Sequence, residues 1–329
     1  MKQSFKLAAA MTAFVSAGPA LAADCGTSDG ISIVELNWPS GAFLAQMHKI
    51  ILSEGYGCDV SLVPGDTASS TASMSARGEP NINPELWVDN VRDFWDKVTE
   101  SGTVYEAGKP FAQGGREGFY IPTYVAEANP ELKSFEDLAD YAELFSDPSD
   151  PSKGVIYNCQ PGWSCEVLVG NMYRAFGLEE EFNLFSPGSS AALEATIERS
   201  YRREQPIVTY YWEPTPLLGK FPMVSLEMPD YVEGNCNNDE NCENPAKSGF
   251  PPGNVITAVT SDVKEEAPEA AAYLDAASID NSIINEVLAW GEENNATAEE
   301  TAIHFLQENP DVWKAWVPDE TAEKIQSGL

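Results

Sequence analysis

Residues 159–166 read CQPGWSCE, and this octapeptide organises the rest of the chain. A bond between its two cysteines would close a tight loop, in which proline and glycine favour a turn and leave no room for a core. The loop would therefore hold Trp163 as a rigidly displayed ring. The apolar run that follows predicts a helix that is capped by Ser164 and ends at Gly177.

The loop and the helix together offer two kinds of attraction to a ligand. The face of an indole ring attracts cations, and the N–H groups at the start of a helix attract anions. Because Trp163 lies directly before the predicted helix, the segment predicts a site for a small zwitterion.

The first residues indicate export. Basic residues precede the apolar stretch Leu7–Val15, and Ala20-Leu21-Ala22 is a small-x-small cleavage signature, which together predict a secretory signal peptide over residues 1–22. The apolar stretch is too short to span a membrane. A lipid anchor is disfavoured because Asp24, rather than a small residue, precedes Cys25. We therefore expect a soluble protein that is exported to the periplasm.

The charge of the chain limits its partners. It contains 52 Asp and Glu against 19 Lys and Arg, with a formal net charge of −33 at pH 7. Such a surface repels nucleic acid and anionic membranes, so neither is an expected partner. The acidic residues are spread along the chain, a pattern that indicates a solvated surface, as in a saline habitat, rather than a binding site.

All six cysteines lie in the predicted exported part, where oxidising conditions favour disulfides. Zinc binding is disfavoured because the chain has no CxxC spacing and only two histidines. Other connectivities stay open. The spacing favours three pairs, namely Cys25–Cys58, Cys159–Cys165 and Cys236–Cys242.

Strands and helices alternate in the remaining pattern. Strand Ile31–Leu36, helix Phe43–Leu52 and strand Cys58–Val63 make a β-α-β start, which predicts a parallel sheet that binds ligands at the carboxyl ends of its strands. Further strands are predicted at 81–86, 117–124, 155–158, 206–211 and 255–260, and further helices at 67–77, 135–144 and 190–203. A chain of 329 residues is long enough for two lobes. We expect lobe I to contain residues 23–120 and 256–329 and lobe II residues 121–255, with hinges near 119–124 and 252–257.

Four tryptophans follow predicted strands, two in each lobe: Trp38, Trp87, Trp163 and Trp212. Several indole faces around one quaternary ammonium form an aromatic cage, at about 0.5–2 kcal/mol per face. A cage divided between two lobes would close on its ligand. The simpler alternative is that these tryptophans only cap the ends of the sheets.

Catalytic signatures are missing from the sequence. It contains no HExxH, GxSxG or phosphate-binding glycine loop, and neither histidine has a partner signature, so no catalytic residue is predicted. A secreted carbohydrate-active enzyme with tryptophan sugar platforms is the more distant alternative. Asp239, Glu240 and Glu243 could supply oxygen ligands to calcium, but their loop matches no twelve-residue calcium motif and is more simply a solvated loop.

Three segments carry a family resemblance. CQPGWSCE closely resembles the CxPGWGCE signature of the periplasmic glycine betaine binding proteins of ABC importers, and VTYYWEPTP resembles their YYxWTP segment. NPELWVDN resembles their NWTP-type or HPEVW-type segment. The resemblance extends in order over nearly all of the exported chain. It implies an α/β, two-lobed periplasmic binding protein of type II, a Venus flytrap with a hinge between its lobes, which is not an enzyme.

The resemblance also implies a site and a partner. Trp87, Trp163 and Trp212 would form an aromatic box for a trimethylammonium group, and the amides of Ser164 and Cys165 would hold the anionic end of the ligand. Trp38 completes a four-sided box from its position at a strand end. The partner would be the permease of an ABC importer in the inner membrane, served by a monomer with no cofactor.

One departure bears on the ligand. The betaine binders have a carboxylate-contacting histidine four residues beyond the second-segment tryptophan, and this chain has Val91 there. The sequence is similar to marine binders of trimethylamine N-oxide, whose compact dipole suits a closed box. Glycine betaine stays open as a ligand. Choline also does, with Glu35, Asp89 or Glu213 as the acceptor for its hydroxyl group.

Overall fold

The computed structural model describes residues 25–27 and 29–329. The predicted signal peptide lies outside the described residues. The strands are β1 Ile31–Leu36, β2 Val60–Gly65, β3 Ile82–Trp87, β4 Val104–Glu106, β5 Arg116–Pro122, β6 Gly154–Tyr157, β7 Phe182–Phe185, β8 Val208–Glu213, β9 Met223–Ser225 and β10 Val255–Thr260.

The α-helices are α1 Pro39–Ile50, α2 Thr67–Arg77, α3 Arg92–Glu100, α4 Thr123–Ala128, α5 Ser164–Ala175, α6 Ser190–Arg202, α7 Pro216–Lys220, α8 Ser261–Glu266, α9 Pro268–Ala276, α10 Asn281–Glu293, α11 Ala298–Glu308, α12 Pro310–Trp313 and α13 Asp319–Gly328. A π-helical segment, Ile51–Gly55, extends α1, and 3₁₀ segments lie at Val88–Val91, Phe135–Phe145 and Lys314–Trp316.

The strands of the described residues form two five-stranded sheets with the same internal plan. The order is β2-β1-β3-β10-β4 in the first sheet and β7-β6-β8-β5-β9 in the second. In each sheet three strands run parallel and the next one runs antiparallel to them. Each sheet is the centre of one lobe, so the predicted two-lobed α/β fold is confirmed.

The two crossings between the lobes lie side by side. The amide N–H of Gly115 donates to the carbonyl of Gly253 at 2.7 Å. A Cβ on Gly253 would lie 1.7 Å from the Gly115 carbonyl oxygen, so this close approach requires glycine. Because β5 pairs along its length within the second sheet, the first crossing precedes Arg116 instead of lying at the predicted 119–124.

The C-terminal helices pack on lobe I and complete its core. Helix α11 packs against α1, and α13 packs against the π-helical segment. The Phe43 and Phe305 rings meet edge to face at 5.6 Å between these layers. Across residues 25–27 and 29–329, no helix is long and apolar enough to cross a membrane.

Disulfides join Cys25 to Cys58, Cys159 to Cys165 and Cys236 to Cys242, which are the pairs that the spacing favours. The last of these closes a loop that is attached to α5. The Asn171 amide donates to the carbonyls of Asn237 and Asp239 at 2.8 and 2.9 Å. The disulfide loop is therefore anchored on the same helix that begins beside Trp163.

Two local predictions need correction. Helix α1 begins at Pro39, earlier than the predicted Phe43, because proline at the first helical position already has a helical φ. Helix α5 does begin at Ser164, but its N-cap is Trp163, whose backbone is extended and whose side chain makes no capping bond. Ser164 is thus the first helical residue and not the cap.

Candidate functional site

The four tryptophans lie at corresponding places in the two lobes. Trp38 is the N-cap of α1 after β1, Trp87 is the last residue of β3, Trp163 is the N-cap of α5 after β6, and Trp212 lies near the end of β8. The carboxyl ends of parallel strands meet at one edge of a sheet. Each lobe therefore presents two indole rings to the cleft, and each ring is less than a tenth exposed.

One cavity collects all four rings. About 300 Å³ of space lies between its walls, a volume that includes the open solvent at its mouth. Its lining residues are Trp38, Thr67, Trp87, Asn90, Glu117, Trp163, Ser164, Cys165, Tyr210 and Trp212. All six sequence-predicted ligand residues thus line the same cavity.

Trp163 is the centre of the ring arrangement. Its ring lies 5.3 Å from that of Trp38 at 77° and 5.1 Å from that of Trp212 at 85°. Such edge-to-face contacts each contribute about 0.5–1.5 kcal/mol beyond area burial. Because Trp38 belongs to lobe I and Trp212 to lobe II, the Trp163 ring joins the two halves of the box.

Hydrogen bonds fix the planes of three of the rings. The Nε1–H groups of Trp38 and Trp87 both donate to Glu85 Oε1, at 2.8 and 3.0 Å. The Nε1–H of Trp163 donates across the cleft to Asn37 Oδ1 at 2.8 Å. Because the N–H groups of these rings are bonded to protein acceptors, the cavity is lined by the ring faces.

The disulfide loop sets the geometry around Trp163. Gly162 has φ +91°, a left-handed conformation that favours glycine, and it turns the chain into α5. The amides of Ser164 and Cys165 stand in the first helical turn, where N–H groups have no acceptor within the helix. They and the positive end of the helix dipole supply an anion-attracting wall beside the rings.

An acidic group lies on the cavity wall in lobe II. Glu117 is buried, accepts from Asn90 Nδ2 at 2.7 Å and accepts from the Tyr210 hydroxyl at 2.6 Å. Burial raises the pKa of the Glu117 carboxyl, which the hydrogen bonds from Tyr210 and Asn90 partly oppose. Since Asn90 belongs to lobe I, this hydrogen bond also crosses the cleft.

Sequence reasoning missed four of the lining residues. Thr67 is the first residue of α2 and comes shortly after β2. It could have been predicted because ligands bind at the carboxyl ends of parallel strands. Asn90 follows Trp87 closely and could have been found in the same way. Glu117 and Tyr210 lie inside strands, where no local pattern marks them.

The residues considered for a choline hydroxyl do not line the cavity. Glu35 accepts from Gln46 at 2.8 Å, and Glu213 pairs with Arg116 at 2.8 Å. Asp89 is bonded to Arg92 and Asn254. These three carboxylates are therefore engaged elsewhere, and Glu117 is the carboxyl group that the cavity contains.

Val91, at the position of the family histidine, does not line the cavity either. It packs against a small apolar cluster that contains Trp95 and Val98. The neighbouring Asn90 reaches the cavity instead. A neutral amide therefore takes part in the wall on this side.

The proposed calcium ligands are not assembled into a metal site. Asp239 Oδ1 accepts from the Asn241 amide at 2.8 Å, and Glu240 and Glu243 are exposed. In the part of the chain that the structure describes, no group of three or more His, Cys, Asp or Glu side chains could hold a metal ion. Calcium binding by this loop stays a prediction from the sequence.

Comparisons with known proteins agree with this architecture. A family model described as the substrate binding domain of ABC-type glycine betaine transport systems matches residues 29–308. The glycine betaine-binding periplasmic protein OusX of Dickeya dadantii is 26% identical over 204 residues, a match that covers 60% of this chain and 60% of that protein. The glycine betaine/proline betaine-binding periplasmic protein of Salmonella typhimurium is 24% identical and is covered over 77% of its length, with 75% of this chain.

Solved structures match over most of their length. A choline binding protein of an ABC transporter, in complex with choline, superimposes with a TM-score of 0.72 at 18% identity, covering 92% of this chain and 98% of that one. Lactococcal OpuAC in its closed form with glycine betaine gives a TM-score of 0.70 at 21% identity, covering 88% of this chain and 99% of that one. At such identities the likeness concerns the fold.

Proposed function

The chain belongs to the substrate-binding domains of ABC-type glycine betaine transport systems, and we propose that it captures a trimethylated amine osmolyte in the tryptophan-lined cavity for uptake. Trimethylamine N-oxide is the favoured ligand. Glycine betaine is the second candidate, and choline or another quaternary ammonium compound is the alternative.

The observation that carries the proposal is the convergence of four indole rings from both lobes on one cavity. A methylated nitrogen cannot accept or donate a hydrogen bond, so its attraction to the protein comes from ring faces and burial. A desolvated indole face contributes about 2 kcal/mol or more to such a cation. Rings at right angles around Trp163 supply adjacent walls of this kind.

The polar part of the wall favours the N-oxide over the carboxylate of betaine. No lysine, arginine or histidine occurs among the described residues that line the cavity. An ionised Glu117 would repel the full negative charge of a carboxylate more strongly than the N-oxide dipole. Burial raises the pKa of Glu117, and in its protonated form the carboxyl would donate to the single oxygen of the N-oxide. The amides of Ser164 and Cys165 would supply further donors.

Capture would proceed by closure of the lobes. Several interactions join the lobes in the structure. They include the hydrogen bonds of Trp163 to Asn37, of Asn90 to Glu117 and of Asn238 to the Asp89 carbonyl. Lys220 and Glu292 add an ion pair at 2.6 Å. A ligand that contacts rings of both lobes binds the closed form more tightly and so shifts the equilibrium towards it. Expulsion of water then strengthens the remaining electrostatic attraction.

The cellular setting follows from the same proposal. The protein would be exported, act as a monomer in the periplasm and deliver its ligand to an ABC importer permease. It would perform no chemical step on that ligand.

Titration calorimetry with trimethylamine N-oxide, glycine betaine and choline tests the ligand class. We expect heat of binding with the N-oxide, weaker binding with the other two, and quenching of tryptophan fluorescence without product formation. Flat titrations with all three ligands would exclude the proposed function. Formation of a product would instead favour the enzyme alternative.

A further inference from the structure

A carboxylate lies behind the box, at a place that the proposed capture of a ligand does not explain. Glu85, on β3, is fully buried, and its Oε1 atom accepts hydrogen bonds from the indole N–H groups of both Trp38 and Trp87. Trp38 belongs to the start of α1 and Trp87 to the end of β3. A single oxygen atom therefore fixes two of the four rings on two different elements.

The partners of Glu85 are all neutral. Besides the two indoles, the Ser40 hydroxyl lies near enough to favour the charged form, and the buried Oε2 atom has no hydrogen-bond partner among the described residues. Burial raises the pKa of Glu85 to about 7, although Trp87, Ser40 and Trp38 favour the ionised form. A buried carboxylate without a cationic partner is costly for folding, so its position between two ring edges calls for a functional reason.

We propose that Glu85 is a positioning residue for the tryptophan box: it fixes the planes of Trp38 and Trp87, and its negative charge makes both ring faces more attractive to a trimethylammonium group. An N–H bond to an anion polarises the donor, so electron density shifts towards the indole ring. The attraction of a cation to a ring face grows with that density. The second part of this proposal rests on the proposed function.

Other titratable groups near β3 could also produce a pH dependence and must be separated from Glu85. The elements packed against β3 carry Glu35 on β1, His48 and Lys49 on α1, and Arg77 on α2, whereas β10 carries none. Glu35 is bonded to Gln46, and burial lowers the pKa of His48 to about 3. A separate confounding group is Glu117, which lines the same cavity.

Two variants and one probe separate the effect of the Glu85 charge from that of Glu117. Glu117→Gln removes the titration of the cavity carboxyl, and tetramethylammonium serves as the probe because it has no polar end for that carboxyl to bind. Glu85→Gln keeps an oxygen that can accept from an indole but carries no charge. Thermal unfolding shows whether each variant is folded.

The first measurement needs no ligand. In ¹H–¹⁵N spectra recorded from about pH 5 to about pH 9, we expect the indole resonances of Trp38 and Trp87 to move together with one midpoint near 7. The resonance of Trp163, bonded to the neutral amide of Asn37, serves as the internal control and should not follow this step. Independent midpoints for Trp38 and Trp87, or a step that persists in Glu85→Gln, would overturn the shared coupling.

The second measurement connects the charge with binding. In the Glu117→Gln background, affinity for tetramethylammonium should fall by about fivefold, or ~1 kcal/mol, as pH is lowered through 7. The double variant Glu117→Gln/Glu85→Gln should bind tetramethylammonium at every pH with the low affinity that the Glu117→Gln protein shows below pH 7. Equal affinity in the two proteins above pH 7 would overturn the electrostatic role. If the wild type bound none of the methylated ligands while the two indoles still titrated together, the proposed function would fail and the positioning role would stand.

Discussion

Truncation of Trp163 tests the box where its two halves meet. Trp163→Ala removes the ring that touches Trp38 in lobe I and Trp212 in lobe II, together with the N–H that donates to Asn37. Because the contacts with Trp38 and Asn37 are made across the cleft, their loss affects the closed form with its ligand more than the core of either lobe. We therefore expect weaker binding by a protein that still folds.

The magnitude follows from the contacts that disappear. One desolvated indole face contributes about 2 kcal/mol to a methylated cation, which corresponds to roughly thirtyfold in the dissociation constant. The lost edge-to-face contacts and hydrogen bond also disfavour closure. A reduction of at least about tenfold in affinity, or ~1.4 kcal/mol, is thus the smallest effect that the structure supports.

The assay is calorimetric titration with trimethylamine N-oxide, with circular dichroism as the check on folding. Trp290→Ala is the matched control, because Trp290 stacks on His304 at 3.7 Å outside the cavity. We expect its affinity to equal that of the wild type. Unchanged affinity in a folded Trp163→Ala protein, or an equal loss in both variants, would refute the assignment of this ring to the site.

Three further predictions concern single side chains. Glu117→Ala should weaken binding of the N-oxide by about tenfold, whereas Glu117→Gln, which keeps a donor, should lose less in calorimetry; equal losses would exclude a donor role. Asn37→Ala should weaken binding about fivefold, because it removes the acceptor for Trp163 across the cleft, and a calorimetric affinity equal to wild type would show that this bond does not favour closure. Burial lowers the pKa of His48 from 6.5 to about 3. Between these two pH values the imidazole binds a proton in the unfolded chain but not in the folded chain. The free energy of unfolding in urea should therefore fall as pH falls below 6.5, by at most about 1.4 kcal/mol per pH unit, and His48→Gln should reduce that slope; identical slopes would contradict this.

The four tryptophans could be predicted because their positions follow from a local rule. Each one stands at or near the carboxyl end of a strand, and parallel strands bring these ends to one edge. Their spacing also placed two in each lobe. The disulfide loop before α5 added the Ser164 and Cys165 amides, because a helix start is visible in the sequence even when its cap residue is displaced by one position.

The carboxylates of the site could not be predicted in this way. Glu117 lies opposite Trp212 in the antiparallel register of β5 and β8, and register depends on pairings that are distant in sequence. Glu85 lies in a strand whose residues are all buried. Only the position of two indole N–H groups, one from another element, explains a carboxylate there.

Short elements and the lobe boundary were missed for a related reason. β4 and β9 contain three residues each, too few for a period to be visible, and both exist because a longer strand pairs with them. The crossing at Gly115 depends on the close approach of Gly253, which is far away in the chain.

A crystal structure of the protein with trimethylamine N-oxide tests the central claim most directly. We predict that the methylated nitrogen lies within about 6 Å of the ring centroids of Trp38, Trp87, Trp163 and Trp212, with its oxygen directed to Glu117 or to the first turn of α5. Ligand density outside this cavity, or rings turned away from the nitrogen, would contradict the claim.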